Sequence, residues 1–231
     1  AALAAAAPPA VVQAWRERRR PALIVAGMVV LAGAGGAWWP PPANVRVGEG
    51  YSYHHLGGVY SSSGDYRGAA RAYEKAVAYD STDAYSWNNL GLAYMRMGSF
   101  RRAEEALDKA LTLAPDNADT LNNYASLMIY EGRFAEAERW VAEALTRDKR
   151  NPYALVNLGI LRLAAGDAEG ALGALNEAAA IKPDYPNVYF NLGLVYETMG
   201  DVRRASAAYR YGLSLEPTNE HARRRLAALG R

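Results

Sequence analysis

Followed for its apolar and polar positions, the chain opens with one long apolar run and then settles into a helical rhythm. Residues 21–39, "PALIVAGMVVLAGAGGAWW", hold no charge and no side chain more polar than tryptophan. Beyond residue 50, apolar positions recur at steps of three and four, the spacing of one helix face. In "WNNLGLAYMRMG" (87–98), Trp, Leu-Gly, Tyr and Gly occupy places 1, 4–5, 8 and 12. A glycine within a helix costs about 1 kcal/mol relative to alanine, so Gly91 between bulky residues asks for a close neighbour. Gly98 stands where a left-handed residue would end the helix.

Displaced by 34 residues, the chain matches itself without a gap. "YHHLGGVYSSSG" (53–64), "WNNLGLAYMRMG" (87–98), "LNNYASLMIYEG" (121–132), "LVNLGILRLAAG" (155–166) and "YFNLGLVYETMG" (189–200) fall into register. Each precedes a second helical stretch with alanine at a fixed place: Ala69, Ala103, Ala137, Ala171 and Ala205. Another small residue follows seven places on, at Ala76, Ala110, Ala144, Ala178 and Gly212, and Pro115, Pro183 and Pro217 close three of the five units. A strict 34-residue period of paired helices marks a solenoid. On these residues the chain resembles the tetratricopeptide repeat (TPR) family. The resemblance implies an all-α fold, a right-handed solenoid of five helix-turn-helix repeats at 50–83, 84–117, 118–151, 152–185 and 186–219. A cap helix follows within 220–231. It also implies that Gly or Ala at 57, 91, 125, 159 and 193 lets the first helix of each unit approach the alanine of the second.

The apolar run predicts one transmembrane helix over 21–39, between a short segment 1–20 and a linker 40–49. Nineteen residues at 1.5 Å each span about 28 Å, close to the hydrocarbon thickness of a bilayer. Trp38 and Trp39 match an interfacial belt, and three prolines at 40–42 end the helix. "RERRR" (16–20) precedes the run, which places the N-terminus in the cytoplasm and the repeats on the exported, periplasmic side. A second reading remains open: "LIVAGMVVL" followed by "AGA" (32–34) has the form of a cleavable signal. Small residues paired at Ala32/Gly36 and Gly33/Ala37 would allow close helix association in a membrane.

Charge and composition narrow the function classes. The net charge is +2 and half the residues are hydrophobic, which points to neither nucleic acid nor an acidic partner. Cysteine is absent, which excludes disulfides, thiolate metal sites and a cysteine nucleophile. Of three histidines, His54 and His55 are about 100° apart on a helix, and no carboxylate stands at zinc-motif spacing. No phosphate-cradling loop, nucleophile elbow or HExxH occurs, so the chain reads as non-enzymatic, without cofactor or metal.

What remains is a surface. By the TPR resemblance the first helices line a concave groove. The residue before each Leu-Gly pair, or its equivalent, is His55, Asn89, Asn123, Asn157 and Asn191. The four amides would form a ladder offering donors and acceptors to an extended peptide; the plainer alternative is that they bond neighbouring helices. Tyr51, Tyr85 and Tyr153 flank them. Leu92, Ser126, Ile160 and Leu194 lie a turn further, with Met95, Ile129 and Leu163 beyond. Val156 and Phe190 occupy sites where a lysine gripping a terminal carboxylate would be sought. Unit four departs most: Gly170 and Gly173 mark either a loose repeat or a place where another backbone docks. The expected role is a membrane-anchored scaffold for protein partners, as assembly factor or accessory subunit of a membrane complex. The alternative is a structural protein that self-assembles into filaments or shells.

Overall fold

A computed structural model describes residues 43–230. Among them are eleven helices and no strand. They pair as α1 (Ala43–Ser62) with α2 (Tyr66–Tyr79), α3 (Ala84–Arg96) with α4 (Phe100–Leu113), and α5 (Ala118–Tyr130) with α6 (Phe134–Arg147). The series continues with α7 (Pro152–Ala164) on α8 (Ala168–Ile181) and α9 (Pro186–Thr198) on α10 (Val202–Leu215), closed by α11 (Glu220–Leu229). The first helices α3, α5, α7 and α9 also touch one another in sequence, forming one layer of a TPR solenoid.

Local chemistry sets these boundaries. Asp65, Asp83, Asn117, Asn151, Asp167 and Asp201 each accept a backbone N–H from the turn they begin. Gly98 ends α3 at φ +70°, while Ser99 N–H reaches Tyr94 O at 2.9 Å, closing a Schellman turn. Its four counterparts one period apart share the positive φ.

The interior glycines let the helices approach as expected, a Cβ at Gly91 standing 3.3 Å from Ala103 O, but the tightest contact is with a larger side chain. A Cβ at Gly91 would stand 2.7 Å from Leu107 Cγ, and one at Gly159 at the same distance from Leu175 Cγ. The space is thus filled by the large residue one turn beyond the helix-B alanine. Ala103, Ala137, Ala171 and Ala205 are themselves fully buried.

Two other expectations change. The linker expected over 40–49 is helical from Ala43. Further along α1, the missing side chain of Gly50 lets the helix lie close to Ala76 O and Tyr79 Cβ of α2. In unit four, a Cβ at Gly170 would collide with Asp167 and Arg162, so that glycine serves its own helix cap. Gly173 faces open space. The transmembrane helix expected over 21–39 and the segment 1–20 lie outside the described residues. Among the described residues, no helix is long and apolar enough to cross a membrane.

Candidate protein-binding groove

The layer of first helices encloses a groove of about 600 Å³. Its walls come from α3, α5, α7 and α9, with Tyr185 at the start of α9. Ten expected residues meet there. Asn89, Asn123, Asn157 and Asn191 supply amides, and Ser126 a hydroxyl. Leu92, Met95, Ile129 and Ile160 supply apolar surface, and Tyr153 an aromatic edge.

Five expected residues do not line it. Tyr51 and His55 belong to α1, beyond the groove's end, and pack edge-on against each other at 4.3 Å. Tyr85, in the first turn of α3, is 66% exposed and turns away from the cavity. Leu163 and Leu194 also fall outside the lining.

The amide ladder exists in a different register from the expected one. Asn123 Nδ2 donates to Asn88 Oδ1 at 2.9 Å, and Asn157 Nδ2 to Asn122 Oδ1 at 2.7 Å. Each rung runs diagonally, from the residue before the Leu-Gly place or its equivalent in one unit to the first asparagine of the doubled pair in the unit before. Asn157 also donates to Ser126 Oγ at 2.8 Å and is buried. Asn191 Nδ2 turns back to Asn187 O at 2.8 Å. These donors therefore serve the solenoid, while the side-chain carbonyls of Asn123, Asn157 and Asn191 keep no partner among the described residues. Asn89 makes no side-chain hydrogen bond there at all.

Sequence reasoning missed several wall residues. Asn88 and Asn122 carried a signal in the doubled asparagines of "WNNLG" and "LNNYA", but single-position alignment took only the second of each pair. Arg96, Tyr130 and Tyr185 also line the groove. They stand at helix ends, Arg96 and Tyr130 last in α3 and α5 and Tyr185 as the residue before α9. Burial raises the Tyr185 hydroxyl above the ordinary phenol range, against smaller opposing effects from Asn187 and Arg96.

One cluster has the residue types of a hydrolase triad. His54 Nδ1 lies 2.7 Å from Ser86 Oγ, which donates to Asp83 Oδ2 at 2.5 Å. The serine proton is committed to Asp83, so Nδ1 donates to the serine. Ser86 is fully buried and Asp83 also caps α3 through Tyr85 N. An activated nucleophile would donate to the imidazole and face solvent; this trio ties unit one to unit two.

No curated protein matches the chain in sequence. Among solved structures, TTC0263, a thermophilic TPR protein of Thermus thermophilus, superposes with TM-score 0.70 at 19% identity, over 78% of this chain and 98% of that one. PilW, described as a widely conserved type IV pilus biogenesis factor, gives TM-score 0.62 at 22% identity, covering 77% and 86%. PilF of Pseudomonas aeruginosa gives 0.62 at 21%, covering 80% and 90%. These likenesses establish the fold. A family model, the cilia and flagella-associated protein 70 C-terminal domain, matches residues 50–229, which span all five hairpins and the cap, and the chain belongs to that TPR family.

Proposed function

We propose that this protein is a non-enzymatic scaffold that grips an extended segment of a partner protein in its concave groove. The observation that carries this reading is a groove of about 600 Å³ whose walls mix apolar floor residues with amide carbonyls left unused by the solenoid. Such carbonyls accept peptide N–H groups, and Leu92, Ile129 and Ile160 accept apolar side chains. The uncharged run over 21–39 preceded by "RERRR" supports a membrane anchor with the repeats on the exported side. An anchor would raise the effective concentration of partners in that membrane, as suits an assembly factor or accessory subunit of a membrane complex.

The test is capture from carbonate-washed membranes solubilised in mild detergent, with wild type, Asn89→Ala and Ile160→Glu compared. Asn89 has no structural hydrogen bond, so its removal should leave the melting temperature unchanged while the captured partner is lost or reduced. A partner retained equally by all three forms would move the binding surface out of the groove. Recovery of only the chain itself, in an assembly that grows with concentration, would favour the self-assembling alternative.

A further inference from the structure

The groove has an electrostatic asymmetry that its amides do not account for. Among the described residues its single cation, Arg96, lies in the last turn of α3. The guanidinium stands 6.0 Å from the Tyr66 ring, and no carboxylate among the described residues pairs with it. The single carboxylate among those lining residues, Asp119, is in the first turn of α5 and accepts from Asn151 Nδ2 at 2.9 Å. In repeat register Arg96 and Asp119 are eleven helical positions apart, so roughly 16 Å of helix length separates them. They do not neutralise each other.

Two phenols accompany the arginine. Tyr130 holds the same place in α5 that Arg96 holds in α3. Its ring stacks on Phe100 at 6.0 Å, and its hydroxyl has no hydrogen-bond partner among the described residues. Tyr185 packs edge-on to Tyr153, with ring centroids 5.1 Å apart. Its hydroxyl accepts from Asn187 Nδ2 at 3.1 Å, and its own proton finds no acceptor among the described residues. Arg96, Tyr130 and Tyr185, from units two, three and four, all line the same groove. At neutral pH a phenol is protonated, hence a donor.

Three donors without acceptors fit a group that only accepts and carries negative charge. The one arginine lining the groove matches one carboxylate, and the neighbouring Lys182 is engaged over the Tyr153 ring, 5.7 Å from its centroid. The amide wall continues on both sides, to Asn89 in α3 and Asn191 in α9. The occupant's backbone therefore passes through this point, and the carboxylate comes from a side chain.

We propose that the groove selects an extended partner segment by one aspartate or glutamate side chain, held by Arg96 and the hydroxyls of Tyr130 and Tyr185. This rests on the groove reading above and names the chemistry it selects. The test uses the full chain in detergent and labelled nonapeptide pools, randomised except for a central Glu, Gln or Lys. The Glu pool should bind about three- to tenfold more tightly than the Gln pool, as for a half-exposed ion pair. The Lys pool should bind weakest, and the Glu preference should shrink as salt rises. Arg96→Gln should erase the Glu preference while Gln-pool binding persists, and Tyr130→Phe should reduce it in part. Asn89→Ala should weaken all three pools alike. Equal binding of Glu and Gln pools by wild type overturns the carboxylate selection; the groove reading survives that result if Asn89→Ala still weakens binding. If no pool shows binding that Asn89→Ala diminishes, both fall.

Discussion

At Gly159 the absence of one methyl group decides how closely two helices approach. Its would-be Cβ lies 2.7 Å from Leu175 Cγ, and Leu175 is fully buried with no exposed direction in which to retreat. Gly159→Ala gains helix propensity of about 1 kcal/mol but overpacks a contact whose strain runs at about 1–3 kcal/mol. Ala137→Leu, at a position with no exposure, has only the second effect. We expect urea denaturation to show Ala137→Leu destabilised by about 1–3 kcal/mol, and Gly159→Ala by less. The need for small residues at these places was legible from the 34-residue register. The large side chain that presses on them, Leu107 or Leu175, was not, because a periodic alignment gives which residues are equivalent and not which residue of the facing helix reaches furthest. Asn157 shows the same limit: it lines the groove, but its bond to Asn122 depends on a diagonal offset between units that sequence spacing does not carry.

At the scale of the hairpin, buried phenols join helices through carboxylates. Tyr94 of α3 donates to Glu74 of α2, Tyr124 of α5 to Asp108 of α4, and Tyr209 of α10 to Glu197 of α9. Burial first, then the adjacent carboxylate, holds all three hydroxyls well above the ordinary value of 10.0. A phenol with its folded pKa raised stabilises the fold fully while pH is below the unfolded value. That contribution is lost as pH climbs from about 10 towards the folded value. The urea midpoint should therefore fall steadily above about pH 10, and Tyr209→Phe should make the fall shallower. A midpoint indifferent to pH between about 9 and 11 would contradict this assignment. The hairpins themselves were readable from alternating first and second helices. The start of α1 at Ala43 was not, since 43–49, Gly48 among them, fell within the expected linker.

Across the whole molecule, each hairpin packs chiefly on its neighbours, so stability accumulates along the array rather than around a centre. The cap α11 closes the last interface: Ala222 packs with Ala205 and Tyr209, and Arg225 pairs with Glu197 at 2.8 Å. Truncation after Thr218 should speed amide exchange first in α9 and α10, while α3 and α4 keep most of their protection. Uniform loss across all units would mean a more cooperative fold than nearest-neighbour packing gives. The rungs from Asn123 to Asn88 and from Asn157 to Asn122 lie on the inner curve, where the arc is shortest. Straightening the arc lengthens that side before any other, so these bonds act as check-reins. Tension applied at the two termini would meet resistance on the groove side first, and the coil should be easier to wind tighter than to unbend.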